Sequence, residues 1–161
     1  MFELKAIRAA SRRDLYEDLT LQARGLVHDE HDLIANAANF SALLYHALPD
    51  VNWVGFYFLK NGELLVGPFQ GKPACVHIPL GKGVCGIAAE RRESIVVPDV
   101  NKFQGHIFCD GISLSEVVVP LVKEGKLLGV LDIDSPKLAR FDEEDRVGLE
   151  RLVEVFLDAL R

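Results

Sequence analysis

The sequence predicts an α+β domain in which a central antiparallel sheet is flanked by helices from the two ends of the chain, and three observations predict it. Apolar residues recur at helical spacing near the amino terminus and again near the carboxy terminus. Between them lie runs rich in aromatic and β-branched residues, separated by short turns of the kind that close hairpins. No repeat, low-complexity stretch or linker interrupts the 161 residues, which suit one domain over 1–161 with a core that needs no disulfide or metal staple.

Ser11 is placed to cap a first helix, with Asp14 three residues on and Leu15, Leu19, Ala23 and Leu26 on one face. Gly25 weakens its far end. A second helix is expected over about 30–48, ended by Pro49-Asp50. Its apolar arc, which includes Leu33, Ile34, Ala37, Phe40, Leu43 and Leu44, is wide enough to be buried on two sides, against the sheet and against a second subunit. Residues 52–60 read as a strand, and Asn61-Gly62 turns it into a hairpin with 63–66. The two-residue period puts Trp53, Gly55 and Tyr57 on one face, a candidate pocket wall, and Val54, Phe56 and Phe58 on the other, which looks like core.

Residues 67–73 (Gly-Pro-Phe-Gln-Gly-Lys-Pro) are expected to form an irregular, functional loop. A short extended piece over 75–79 precedes the glycines at 81, 83 and 86, which open a short helix through Ala89. A strand over 94–97 stops at Pro98, and a loop over 99–113 follows. Two long strands, 115–122 and 127–134, are joined by Lys123-Glu124-Gly125-Lys126, with Pro120 marking an edge or a bulge. Alternation puts Glu116 and Val118 on one face of the first, and Asp132 and Asp134 on one face of the second, opposite Leu131 and Ile133. Asp142 caps a last helix whose acidic first turn suits the positive end of its dipole, and Leu149, Leu152, Val153, Phe156 and Leu160 form its apolar stripe.

Composition narrows the function classes. Hydrophobic residues make up 49% and charged residues 26%, and no apolar run approaches the roughly 20 residues of a membrane helix. A formal net charge of −6, a pI near 5.3 and no basic block longer than Arg12-Arg13 or Arg91-Arg92 argue against nucleic acid. The start, Met1-Phe2-Glu3-Leu4-Lys5, has neither the basic region nor the apolar core of a secretory signal, so a cytoplasmic protein is expected. Its partner is then a small molecule or another protein. Cys75, Cys85 and Cys109 are an odd set without a CxxC pair, which fits neither a disulfide framework nor usual zinc spacing.

The chemistry-bearing stretch is Gly105-His106-Ile107-Phe108-Cys109-Asp110, a thiol in a loop where glycine lets the backbone bend and a small ligand approach. The hairpin that follows can bring Glu116, Asp132 and Asp134 near Cys109. Taken singly, a cysteine is most often a small buried residue, and Cys85 in its Val-Cys-Gly context keeps that reading open. His106 alone reads as a loop histidine bonded to backbone, and His77 as an ordinary strand residue. Acids inside Leu-Asp-Ile-Asp are costly if buried without partners, which favours a functional reading for Asp132 and Asp134.

In Asn52-Trp53-Val54-Gly55-Phe56-Tyr57, Gly67-Pro68-Phe69-Gln70-Gly71, Ala74-Cys75, Gly83-Val84-Cys85-Gly86, Gly105-His106-Ile107, Cys109-Asp110, Ser115-Glu116 and Leu131-Asp132-Ile133-Asp134-Ser135, the chain resembles the free methionine-R-sulfoxide reductases, which are stand-alone GAF domains. The resemblance runs from the second helix to the carboxy terminus. It implies a GAF fold and reduction of free methionine (R)-sulfoxide. It makes Cys109 the catalytic thiol, Cys75 the main resolving thiol and Cys85 a further redox cysteine. Trp53, Tyr57, Glu116, Asp132 and Asp134 become substrate-pocket residues. It also implies a homodimer, recycling by thioredoxin, no bound cofactor and no metal. The chain departs from the family pattern at Phe108, where a small residue, usually alanine, is expected.

The residues suit that chemistry. Sulfoxide reduction by a thiol needs a thiolate to attack sulfur, an acid to protonate the departing oxygen, and a second thiol to resolve the sulfenic acid. Clustered carboxylates do not all stay ionised, so one can hold a proton and act as the acid, while the others receive the ammonium group of a free amino acid. Aromatic neighbours such as Trp53 and Tyr57 favour a thioether by about 0.3–1.5 kcal/mol per contact. A thiol among acids has a raised pKa unless His106 or the substrate's ammonium group counters them. The runner-up is a GAF sensor module that binds a small effector without catalysis; a structural dimerisation domain and a zinc site built from the three cysteines and a histidine follow.

Overall fold

The computed structural model describes residues 2–161 of the chain. Two helices come first. α1 (Arg12–Leu26) is capped by the Ser11 side chain, which accepts from the Asp14 amide, and α2 (Leu33–Ala47) by Asp32, which accepts from the amides of Ile34 and Ala35. The second helix therefore starts later than the apolar pattern suggests, at the first side chain able to satisfy its free amides.

Strands β1 (Trp53–Lys60) and β2 (Glu63–Gln70) form the expected hairpin, with Asn61 and Gly62 both at positive φ in the tight turn. β3 (His77–Pro79), α3 (Gly83–Arg91) and β4 (Ile95–Val97) follow, then β5 (Ser115–Lys123), β6 (Lys126–Ser135) and α4 (Glu143–Ala159). The six strands make one antiparallel sheet in the order β3-β2-β1-β6-β5-β4.

The expectation of an irregular loop from residue 67 is corrected here: β2 continues through Gln70, with Gly55 opposite Phe69 and Val54 opposite Gln70. The register shifts between Gly55 and Tyr57, and at this bulge Pro68 lacks an N–H where the ladder is already interrupted. Pro120 is tolerated for a related reason. β4 reaches only to Val118, so Pro120 lies past the end of the outer strand, next to a bulge between Leu121 and Val122.

Strand alternation divides the sheet into two chemically different faces. Val54, Phe56 and Phe58 of β1, Val117, Val119 and Leu121 of β5, and Leu131 and Ile133 of β6 point into a large apolar core covered by α1, α2 and α4. α2 packs on the sheet and also touches α1 and α4, while Ile34 of its apolar arc stays 53% exposed. At the edge of this core the fully buried Asp145 closes a capping box with Asp142, accepts from the Tyr16 hydroxyl (2.8 Å) and pairs with Arg140, joining α1 to α4.

The opposite face carries Trp53, Tyr57, Val118 and Val130, and is covered by α3 through Val84, Cys85, Ala88 and Ala89. α3 approaches closely: a Cβ at Gly86 would stand 2.3 Å from the Pro79 carbonyl. Gly55 is a second close approach, since a Cβ there would lie 2.3 Å from the Phe69 Cβ and 2.6 Å from the Trp53 ring. The missing side chain makes room for Trp53 to stack between Phe69 (5.1 Å) and Tyr57 (5.8 Å). Gly55→Ala is therefore expected to destabilise the fold by about 1–3 kcal/mol through overpacking. A lowered urea midpoint with altered emission from Trp53, the single tryptophan, checks this.

Candidate active site

The acids stand in rows across three strands. Asp134 of β6 lies between Trp53 of β1 and Glu116 of β5; one row on, Asp132 lies between Gly55 and Val118. Glu116 and Asp132 are buried, and Asp134 is half-buried. Cys85 meets them from α3 with its Sγ 3.8 Å from Glu116 Oε1, and the ligating atoms of Cys85, Glu116 and Asp132 lie within 4.8 Å of one another. Asp132 Oδ1 is buried without a hydrogen-bond partner among the described residues.

This crowding sets the protonation state. Burial, and then the neighbouring charge of Asp134, pushes the Glu116 carboxyl up to about 8. Burial followed by the charge of Glu116 raises Asp132 well above the usual carboxylate range, and burial followed by Asp132 does the same for Asp134. The Cys85 thiol is driven up by burial and then by the same acids, so it is a thiol and not a thiolate near neutrality. Asp110 contrasts with them. Burial works against its ionisation, but the backbone amides of Ser113 and Ile112 and the Ser113 hydroxyl hold it below the usual range.

The wall and the thiols are tied together through backbone. The Trp53 indole donates to the Lys72 carbonyl (3.1 Å), and the Tyr57 hydroxyl donates to the Cys75 carbonyl (3.1 Å). Cys75 is joined to Cys109 in a disulfide, with Cα atoms 5.3 Å apart. The Cys109 loop is anchored beyond the cysteine by the Asp110 turn, and Ser113 Oγ accepts from the Asn52 side chain (3.2 Å) at the entrance to β1. Between wall, loop and acids remains a cavity of about 50 Å³.

Trp53, Tyr57, Cys85, Cys109, Glu116, Asp132 and Asp134, all singled out in the sequence, line this one cavity, and Cys75 is bonded at its edge. In this disulfide state Cys75 and Cys109 are joined, and among the described residues Cys85 is the free thiol. Cys85 fulfils its bland reading of burial while also touching the acid cluster. His106 departs from its bland reading: Nδ1 is buried without a partner among the described residues, and Nε2 lies 3.7 Å from Glu116 Oε2. Burial lowers its pKa despite the opposing charge of Asp110, leaving it neutral near pH 7. Its place in a Gly-His-Ile-Phe-Cys-Asp loop is the sequence signal for this position. His77 is an ordinary strand residue paired with Glu63 (2.8 Å).

A six-stranded antiparallel sheet with helices packed on one face, and a pocket under α3 on the other, defines a GAF domain. The family model described as GAF domain matches residues 29–161. The free methionine-R-sulfoxide reductase of Escherichia coli (strain K12) is 49% identical over 143 residues, covering 89% of this chain and 87% of its own. The structure of that enzyme from Neisseria meningitidis, in complex with its substrate, superposes with a TM-score of 0.95 at 42% identity, over 99% of this chain and 95% of that one. A protein of Burkholderia vietnamiensis designated a GAF sensor superposes with a TM-score of 0.91 at 62% identity, over 94% and 96% of the two chains. This chain belongs to the free methionine-R-sulfoxide reductase family.

The raised Glu116 pKa has a stability consequence of definite sign. The folded protein keeps the proton up to about pH 8, whereas an ordinary glutamate releases it near 4.5. The stability linked to that proton is fully present below about pH 4.5 and is lost as pH rises through about 8, at up to about 1.4 kcal/mol per pH unit for each proton. Urea unfolding between pH 5 and 8 is expected to show this decline, and Glu116→Gln, neutral and similar in shape, to remove about one proton's worth of the slope. Equal slopes in the two proteins would place the proton elsewhere.

Proposed function

We propose that this chain reduces the R epimer of free methionine sulfoxide to methionine, with Cys109 as nucleophile. The observation that carries the reading is the Cys75–Cys109 disulfide at the edge of a cavity lined by carboxyl groups that hold protons near neutrality. Its substrate class follows from relatives named for that reaction, one of them complexed with its substrate.

In the dithiol state the Cys109 thiolate attacks the sulfoxide sulfur, and the Glu116–Asp132 pair delivers a proton to the sulfoxide oxygen. The oxygen passes to Cys109 as a sulfenic acid, and methionine leaves with its thioether restored. Cys75 then attacks the sulfenic sulfur, water departs, and the disulfide forms. The disulfide occupies the Cys109 sulfur, so the productive complex belongs to the dithiol state. The substrate's ammonium group adds the cation that the acid cluster lacks, which lowers the cost of ionising Asp134 and the Cys109 thiol together. Trp53 and Tyr57 face the thioether.

Cys85 is bonded to no other cysteine and its proton is held tightly, which supports Cys75 as the resolver. The reading includes a cytoplasmic GAF unit over 1–161, an external dithiol such as thioredoxin in place of a bound cofactor, and a homodimer checked by sedimentation. Among the described residues no helix is long and apolar enough to cross a membrane.

Dithiothreitol-driven consumption of each epimer of free methionine sulfoxide tests the proposal. The native protein is expected to consume the R epimer only, and Cys109→Ser neither. Glu116→Gln is expected to lower kcat by about 10²–10⁴-fold as a general acid is lost. Cys75→Ser should retain a single turnover and lose steady-state rate, while Cys85→Ser keeps most of it. Absence of turnover by the native protein would move the sensor reading to the front.

A further inference from the structure

The two halves of the disulfide each carry an exposed apolar neighbour. Val76, beside Cys75, is 52% exposed, and Phe108, beside Cys109, is 67% exposed; Ile112, three residues past Cys109, is 44% exposed. Both cysteines are themselves partly accessible. With their Cα atoms 5.3 Å apart, Val76 and Phe108 are each one residue from the same S–S bond. Other large apolar side chains left in solvent, such as Leu21, Leu138 and Val147, have no reactive group beside them.

Phe108 is also held in place. Its ring packs edge-on against His106, with centroids 4.7 Å apart and planes at 89°, and His106 is fixed in the cavity wall facing Glu116. The exposed Phe108 ring contributes nothing to the cavity, since Phe108 is absent from its lining. Apolar side chains gathered around one reactive bond mark a surface that another protein covers.

We propose that Val76, Phe108 and Ile112 form the docking rim for a protein dithiol that reopens the Cys75–Cys109 disulfide. The inference rests on the reductase reading, because a disulfide formed in every turnover has to be opened in every turnover. A small thiol needs no such rim; a protein whose reactive thiol is set in an apolar surface does. One partner thiolate attacks a sulfur of the disulfide, forming a mixed disulfide and releasing the other cysteine as a thiolate that takes up a proton. The partner's second thiol then displaces the remaining cysteine, so the partner leaves oxidised to a disulfide and Cys75 and Cys109 leave as two thiols.

The test compares two reductants at saturating methionine sulfoxide: dithiothreitol, and thioredoxin kept reduced by its reductase and NADPH. Val76→Asp, Phe108→Asp and Phe108→Ala are assayed beside the native protein. The two aspartate variants are expected to raise the KM for thioredoxin at least tenfold, and Phe108→Ala severalfold, while dithiothreitol-driven rates stay within twofold. Native kcat/KM for thioredoxin in both aspartate variants would overturn the rim, as would a native protein that dithiothreitol drives and thioredoxin does not. A change of sedimentation mass in Phe108→Asp would assign the patch to a second copy of this chain and also overturn it. Failure of the native protein with dithiothreitol would instead strike the reductase reading.

Discussion

Three carboxyl groups and a thiol gathered against one face of a sheet, all but Asp134 buried, are the constraint around which the rest of this molecule is arranged. Glu116 and Asp134 are direct cross-strand partners, a pairing that two ionised acids would make repulsive. No lysine or arginine lines the cavity among the described residues, and His106 is neutral near pH 7, so the repulsion is relieved by protons. The fold tolerates this because the same two strands drive their alternate residues, Val117, Val119, Leu131 and Ile133, into the largest apolar core of the chain. The period of two is what lets one segment stabilise the fold on one side and remain chemically poised on the other.

β1 links that acid face to the redox pair. Trp53 is the cross-strand partner of Asp134, Gly55 of Asp132, and Tyr57 follows on the same face. The polar ends of the two aromatic rings are spent on carbonyls of Lys72 and Cys75, so the wall of the cavity also fixes the backbone that presents Cys75. Cys109 is held differently. Its loop carries no strand pairing and is fixed by the Asp110 turn, the Ser113 contact to Asn52 and the disulfide itself. Opening the disulfide removes one of those restraints at the proposed nucleophile, while Cys75 keeps its anchor to Tyr57.

The alternating strands and the capped terminal helices were legible because each is specified locally, by a period or by a single capping side chain such as Ser11 or Asp142. The continuation of β2 through Gly67-Pro68-Phe69-Gln70 was not, because Pro68 is permitted only by a register shift that involves the partner strand. The sheet-facing side of α2 was legible from its apolar spacing, whereas its contacts with α1 and α4 depend on where those helices pack, and Ile34 stays exposed. At the site, the acid pair on β6 could be seen from alternation alone. The bond between Cys75 and Cys109, 34 residues apart, came from family likeness, as no spacing rule dictates it. The His106–Glu116 approach had only loop composition to announce it, since it joins a residue without regular structure to one in the middle of a sheet.

The division of labour proposed for the three cysteines rests on the same electrostatics. A resolving thiol has to reach a sulfenic acid and do so with thiolate character. Cys85 lies on α3 against Glu116 and Asp132, and losing its proton would place a negative charge in a buried cluster whose carboxyl groups already hold protons to avoid one. Cys75 sits away from that row, on a segment held by Trp53 and Tyr57, partly open to solvent and already within bonding reach of Cys109. A thiol at position 85 is better matched to sharing its proton with Glu116, as its 3.8 Å contact allows, than to leaving as a nucleophile. On the proposed mechanism, the acids that donate to the sulfoxide oxygen are thus also what keep the nearest thiol out of the redox pair.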